Sequence, residues 1–155
     1  MKRQKRVLIV EDDATDTSIM MKAFQAAPAW EVKLATDGEA ALDMMGLAGR
    51  GKWGGGWRPD VVVLNLRLRL PKLTGDEVLE VMKEVPEIAT IPVSIWTVSV
   101  NLEDITRSYE LGAVAHISKP AEANKVRLQA QAVRRFFDQA QFLEGDFPGD
   151  GSVIR

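Results

Sequence analysis

Two kinds of hydrophobic pattern alternate along this chain of 155 residues. Short apolar runs rich in β-branched residues indicate strands, and apolar residues spaced three or four positions apart indicate the helices that cover them. Strands are predicted at 7–10, 30–35, 61–64, 92–98 and 113–117, and each is followed by a helical pattern. This succession predicts an α/β fold, namely a flavodoxin-like (βα)5 doubly wound parallel sheet with the strand order 2-1-3-4-5.

Polar residues with short side chains mark the starts of the predicted helices, because such side chains hydrogen-bond to free backbone N–H groups. Thr15 is expected to cap the first helix, and Thr74 precedes the third. Asn101 or Leu102 opens the helix after the fourth strand. The glycine-rich segment 46–56 is predicted to be a loop.

The composition excludes several classes of protein and site. The chain has no cysteine, so disulfides, thiolate nucleophiles and thiolate metal sites are excluded. Its 20 basic and 22 acidic residues give no overall bias toward nucleic acid or an anionic membrane. The apolar run 7–10 is too short for a signal peptide or a membrane span. A cytoplasmic protein is therefore expected, with one domain over residues 1–144 and a tail over 145–155.

Polar residues gather where the predicted strands end. The third strand is followed by Asn65, and the first strand by Glu11 and Asp12. In the order 2-1-3-4-5 these two strands are neighbours, and in open α/β sheets ligands bind beyond the carboxyl ends of the strands. Thr97 and Lys119 arrive at the same edge from strands four and five. We therefore expect these residues to form one polar pocket.

Several segments, spread over nearly the whole chain, resemble the receiver domain of bacterial two-component response regulators. They are VLIVEDD, PDVVVLNL, LPKLTGDEVL, SYELGA and the SKP at 118–120. Within that family the chain is similar to the single-domain regulators that serve phytochrome-type histidine kinases, which share a long glycine-containing loop before PD. The resemblance implies a regulatory domain of phosphorelay signal transduction that is not itself an enzyme. It also implies a sensor histidine kinase as the partner.

The resemblance implies a role for each polar residue. Glu11 and Asp12 match the acidic pair that binds Mg²⁺, although capping of the following helix is the alternative role of these acids. Thr97 matches the hydroxyl that turns toward the phosphoryl group, and Lys119 matches the invariant lysine. His116 matches the aromatic switch residue, with a structural ring as an equal alternative.

Asn65 departs from the family pattern, because it stands where the phosphoacceptor aspartate is expected. Counting forward from 59–60 places Asn65 at that position, whereas counting back from 70–72 places Arg67 there. We favour Asn65, and neither residue is a carboxylate. Side chains alternate along a strand, so residues 65 and 67 would point to the same side if the extended conformation continued. The Arg67 guanidinium is then expected to reach the acidic pair and to supply the charge that Mg²⁺ usually brings.

The amide of Asn65 changes the expected chemistry. An amide oxygen lacks the nucleophilicity of a carboxylate, so phosphoryl transfer to residue 65 should fail. Loss of one carboxylate should also weaken Mg²⁺ binding. The leading hypothesis is an atypical receiver, or pseudo-receiver, that binds its protein partner independently of phosphorylation. The alternative is a conventional phosphoacceptor receiver captured as an Asp-to-Asn variant, and the sequence leaves open whether Asn65 is natural or engineered.

The last helix offers a surface for self-association. Its apolar stripe should be buried by the sheet, whereas Leu128 and Phe136 lie off that stripe. A homodimer through the C-terminal helical faces would cover these side chains. Packing of the tail against its own domain is the alternative.

Overall fold

The computed structural model describes residues 3–46, 57–68 and 73–142. Five strands lie within these ranges: β1 Lys5–Val10, β2 Trp30–Ala35, β3 Val61–Leu64, β4 Val93–Thr97 and β5 Ala115–Ser118. All pair in parallel, in the order β2-β1-β3-β4-β5. The predicted flavodoxin-like arrangement is therefore confirmed. The predicted tail at 145–155 lies outside the described residues, as does the predicted loop except for Gly46.

Six helices lie in the same part of the chain: α1 Ala14–Gln25, α2 Gly38–Met44, α3 Gly75–Glu84, α4 Pro86–Ala89, α5 Leu102–Glu110 and α6 Ala123–Gln139. The short helix α4 follows α3 almost directly and is not evident in the apolar pattern. It begins at Pro86, whose fixed backbone angle and missing N–H suit the first position of a helix. No helix among the described residues is long and apolar enough to cross a membrane.

Side-chain acceptors cap the helices that begin beside the strand ends. Thr74 caps α3, whose start agrees with the prediction, and Asn101 caps α5, whose first residue is Leu102. The prediction for α1 is wrong, because the cap is Asp13, whose carboxylate accepts a hydrogen bond of 2.8 Å from the N–H of Asp16. Thr15 lies inside the first turn, since α1 begins one residue before it. The carboxylate of Asp13 thus directs the chain into α1 immediately after β1.

The side chains of β3 alternate between two hydrophobic layers. Val61 and Val63 contact the layer formed with α1 and α6, whereas Val62 and Leu64 contact the layer formed with α2 and α3. None of the four is more than 1% exposed. The layer beneath α1 and α6 includes the buried aromatic side chains Phe24, Trp30, Trp96 and Phe137. The central strand is therefore buried on both faces, as the run of β-branched residues predicts.

The register of the sheet aligns the ends of its strands. Val10, the last residue of β1, is paired with Leu64 at the end of β3 and with Ala35 at the end of β2. Thr97, the last residue of β4, is paired with Ser118 at the end of β5. The residues that follow these positions consequently meet at one edge of the sheet.

Candidate functional site

A polar pocket lies at this edge, formed by residues that the sequence analysis predicted to meet there. Glu11 and Thr97 are fully buried, Asn65 is 6% exposed, and the Lys119 side chain is 4% exposed. Asp12 is half-buried beside them. Hydrogen bonds connect the side chains of Asn65 and Lys119 to the same carboxylate, that of Glu11. We call this group of residues the polar pocket.

Glu11 lies at the centre of the polar pocket and accepts four hydrogen bonds. Its Oε1 accepts from the Lys119 ammonium at 2.7 Å. Its Oε2 accepts from Asn65 Nδ2 at 3.0 Å and from the backbone N–H groups of Asp12 and Asp13 at 3.1 Å. Burial raises the pKa of Glu11, and the ammonium of Lys119 lowers it again only in part. The carboxylate is therefore fully bonded but has lost most of its contact with water.

Three contacts fix the orientation of the Asn65 amide. Its Oδ1 accepts a hydrogen bond of 3.2 Å from the backbone N–H of Arg67, and its Nδ2 donates to Glu11. The amide oxygen consequently faces the loop after β3, whereas Nδ2 faces the carboxylate and also lies 3.5 Å from the carbonyl oxygen of Arg67. Gly75 at the start of α3 lies against the same backbone, where an added Cβ would be 2.2 Å from the carbonyl oxygen of Asn65.

Asp16 is a pocket residue that the sequence analysis missed. Its carboxylate accepts a hydrogen bond of 2.8 Å from Lys119, whose ammonium also lies 4.5 Å from the centre of the Trp96 ring. The available signal was an acid in the first turn of the predicted helix after β1, close to the strand end. The cap predicted at Thr15 placed the start of the helix too late to show this contact. With Asp13 as the actual cap, residue 16 lies in the first turn of α1 and its side chain faces the pocket.

The hypothesis that Arg67 reaches the acidic pair is wrong. Its guanidinium donates to Asp104 at 2.9 Å, and its side chain is 65% exposed. The strand ends at Leu64 and the chain bends at Leu66, so the alternation that would have placed residues 65 and 67 on the same side does not continue. The cation bonded to Glu11 is Lys119 instead.

Asp104 joins the loop after β3 to the loop after β4. Besides the Arg67 guanidinium it accepts a hydrogen bond of 2.5 Å from the Ser99 hydroxyl. The pKa of Asp104 is held below its usual range, first by the hydrogen bond from Ser99 and then by the charge of Arg67. Neither Asp104 nor Ser99 was singled out in the sequence, because polar residues beside a helix start have no distinctive spacing.

His116 bridges β5 to the residues around α5. Its Nδ1 lies 3.0 Å from the Ser108 hydroxyl, and its Nε2 lies 3.1 Å from the carbonyl oxygen of Ser99. Because a carbonyl can only accept, Nε2 carries a proton. Thr97 contacts the same loop, where its hydroxyl oxygen accepts from the N–H of Ser99 at 3.5 Å. The two residues that the resemblance assigns to switching thus both touch Ser99.

The donors in the polar pocket suit a divalent cation poorly. Magnesium prefers several anionic oxygens, but Glu11 is surrounded by an ammonium and by amide hydrogens. Within the described ranges, no three His, Cys, Asp or Glu side chains are grouped so that they could hold a metal ion. The oxygen of the Asn65 amide is turned toward the N–H of Arg67. An incoming ion would have to displace several of these hydrogen bonds.

Comparisons with known proteins agree with the fold. The family model for the response regulator receiver domain matches residues 7–131. Response regulator Rcp1 of Synechocystis sp. is 31% identical over 134 residues, which cover 86% of this chain and 88% of that protein. The solved Mn(2+)-bound form of Rcp1 has a TM-score of 0.81 at 28% identity and covers 91% of this chain and 99% of the other. The phosphorylated cyanobacterial phytochrome response regulator RcpA has a TM-score of 0.80 at 30% identity, with coverages of 90% and 98%.

Proposed function

The chain belongs to the response regulator receiver family, a family of regulatory domains in two-component signalling, and from this premise we propose that it is a pseudo-receiver. In this proposal a sensor histidine kinase of phytochrome type binds the domain in the cytoplasm and transfers no phosphoryl group to residue 65. The similarity to phytochrome response regulators supports the choice of partner. The amide of Asn65 supports the absence of transfer.

The hydrogen bonding of that amide is the observation that carries the proposal. A phosphoacceptor attacks with a charged carboxylate oxygen. The side-chain oxygen of Asn65 is neutral and accepts the N–H of Arg67, while the amide nitrogen donates to Glu11. The residue is thus held by the pocket as a structural amide and has no oxygen suited to attack on phosphorus.

Weakened binding of Mg²⁺ belongs to the same proposal. Receiver domains bind Mg²⁺ or Mn²⁺ at their acidic site, and the related Rcp1 has been solved in a Mn(2+)-bound form. In this chain Glu11 is already bonded to Lys119 and Asn65. An ion that prefers anionic oxygen therefore meets a smaller negative charge than in a receiver with an aspartate at residue 65.

An apolar surface around α5 supports recognition by another protein. We define it as the α5 surface, formed by Val98, Val100, Leu102, Tyr109 and Val114. These side chains are between 51% and 75% exposed, and the only buried residue of α5 is Ser108. These residues lie in and beside α5 along the chain, and exposed apolar surface of this kind marks protein interaction sites. We assign the contact with the kinase to this surface.

Two exposed side chains on α6 support the proposal of a homodimer. Leu128 and Phe136 are 65% and 68% exposed, although apolar side chains of this size are usually covered. Phe136→Asp should convert a dimer to a monomer in sedimentation velocity experiments, while Arg135→Asp on the neighbouring position serves as the control. A wild-type chain that sediments as a monomer at all concentrations would contradict the dimer.

Incubation with a phytochrome-type kinase and labelled ATP tests the function. The wild type should be retained by the immobilised kinase and should gain no phosphate. Asn65→Asp should gain an alkali-labile phosphate, because the carboxylate restores a nucleophile beside Thr97 and Lys119. Phosphate on residue 65 of the wild type would refute the pseudo-receiver. If the immobilised kinase binds Asn65→Asp but not the wild type, the second candidate is favoured, namely a conventional receiver captured as an Asp-to-Asn variant. The presence of Thr97 and Lys119 supports this second candidate.

A further inference from the structure

The polar pocket contains a cation of its own. The Lys119 ammonium is 2.7 Å from Glu11 Oε1 and 2.8 Å from Asp16 Oδ2. It also lies 4.5 Å from the centre of the Trp96 ring, within the range of a cation–π interaction. Two carboxylates and one aromatic face therefore surround a positive charge whose side chain is only 4% exposed.

Asp16 takes the role toward Lys119 that a carboxylate at residue 65 would have. Asn65 offers no negative charge, and its amide nitrogen donates a hydrogen bond to Glu11. Asp16 supplies the second carboxylate from the first turn of α1, where it is also an acid at the favourable end of the helix dipole. The lysine is consequently tied to β1 and α1, with no bond to the side chain of residue 65.

We propose that Lys119 is the resident cation of the polar pocket, that Asp16 is the residue that positions it, and that its ammonium takes the place of the divalent ion beside Glu11. This inference rests on the proposed function for the native role of Asn65. An ammonium that belongs to the chain is present in the pocket without any supply of Mg²⁺. The pocket is therefore neutralised in one fixed arrangement, and its partner meets the same surface whatever the supply of metal.

Electrostatics explain why this lysine competes with a metal ion in a pocket where residue 65 has no carboxylate to share between the two cations. A divalent cation placed on Glu11 would lie close to the ammonium, and the repulsion between like charges is strong where water is excluded. Displacing Lys119 would leave its buried charge with Asp16 alone and would break the 2.7 Å bond to Glu11. Either route removes bonds that one additional ion cannot replace.

Titration with Mn²⁺ tests whether the ammonium occupies the metal position. Lys119→Met frees Glu11, so Mn²⁺ should bind this variant about tenfold more tightly than the wild type, because ligand charge sets the affinity of carboxylate sites. Lys125→Met removes an exposed lysine of α6 and should leave the affinity unchanged. Isothermal calorimetry measures all three proteins. Equal affinities for Lys119→Met and the wild type would overturn the inference, and so would an equal gain in Lys125→Met.

The role of Asp16 can be measured in proteins that keep Lys119. A lysine ammonium gives a proton–nitrogen NMR signal only when its exchange with water is slow, as expected for a buried, hydrogen-bonded group. The Lys119 signal should be visible in the wild type, disappear in Asp16→Asn and return in Asp16→Glu, whereas Asp43→Asn on the exposed side of α2 should leave it unchanged. A signal that persists in Asp16→Asn would refute the positioning role. That outcome leaves the proposed function intact, since only phosphate on residue 65 or loss of kinase binding refutes the latter.

Discussion

Asp60 and Glu11 are both buried acids, at 3% and 0% exposure, yet they lie at opposite ends of the central strands. Asp60 immediately precedes β3 and accepts two hydrogen bonds of 2.9 Å from the Arg3 guanidinium. It also accepts one of 2.8 Å from the backbone N–H of Arg6. Glu11 immediately follows β1 and accepts from an ammonium, an amide and two backbone N–H groups.

The difference lies in the partners. The guanidinium that neutralises Asp60 is 41% exposed, so water shares in its solvation while the carboxylate connects the first strand to the third. The ammonium that neutralises Glu11 is buried with it, and burial raises the pKa of this carboxyl group. Asp60 therefore stabilises the sheet. Glu11 holds side chains from several elements in one pocket, and its burial lowers the stability of the folded protein. Four substitutions test this difference between the two acids.

Asp60→Ala should cause the largest loss of stability. It leaves the N–H of Arg6 and the guanidinium of Arg3 without this acceptor, which should cost about 3 kcal/mol in the free energy of unfolding. Urea denaturation measures the change. Asp43→Ala, on the exposed side of α2, is the control and should cost less than about 0.5 kcal/mol. A loss below about 1 kcal/mol for Asp60→Ala would remove the structural half of the contrast.

Asn65→Asp should come second, because it places a second acid beside Glu11. The two side chains are 3.0 Å apart between Nδ2 and Oε2, so repulsion between carboxylates should cost about 2 kcal/mol at neutral pH. Millimolar Mg²⁺ should recover most of this loss in urea denaturation, since a cation bound only to the native state stabilises it. Asn101→Asp is the matched control, because aspartate also caps a helix well. If Asn65→Asp is as stable as the wild type without Mg²⁺, the added carboxylate does not repel Glu11 and the prediction is wrong.

Glu11→Gln should cost only about 1 kcal/mol, clearly less than Asp60→Ala, because burial already disfavours the charged form of this residue. Asp16 still pairs with Lys119 in this variant, and the glutamine oxygen can accept from the backbone N–H groups. Urea denaturation beside Asp60→Asn, which makes the corresponding exchange at the other end of the sheet, gives the comparison. A greater loss for Glu11→Gln than for Asp60→Asn would reverse our ranking of the two acids.

Asp104 provides the smallest effect, and it depends on pH. Because the folded protein holds the pKa of Asp104 below its usual range, its ionised form contributes stability above the pKa of the unfolded chain. That contribution is lost as the pH falls through the lower, folded value. The stability advantage of the wild type over Asp104→Asn should therefore shrink between about pH 5 and about pH 2, as measured by urea denaturation. A constant difference between the wild type and Asp104→Asn over this pH range would contradict the shift.

Much of the fold could be predicted because its information is local. The apolar runs at 7–10 and 61–64 predict both the strands and their burial on two faces. The parallel pairing of these two strands then brings Glu11 and Asn65 to one edge of the sheet. Side-chain partners depend on the path of the chain after each strand. Arg67 was assigned wrongly because alternation ends with the strand, and Asp16 was missed because its direction follows from the cap at Asp13.

Gly75 contributes no side chain to the pocket, yet the pocket depends on what it lacks. A single methyl group there would lie 2.2 Å from the carbonyl oxygen of Asn65 and 2.6 Å from the Cα of Leu66. A side chain at residue 75 would push the start of α3 away from the backbone of residues 65 and 66. Asn65 would then lose its hydrogen bond to Glu11. A graft of the connection between β3 and α3 into another protein must therefore keep glycine at this position, although glycine has no functional group of its own.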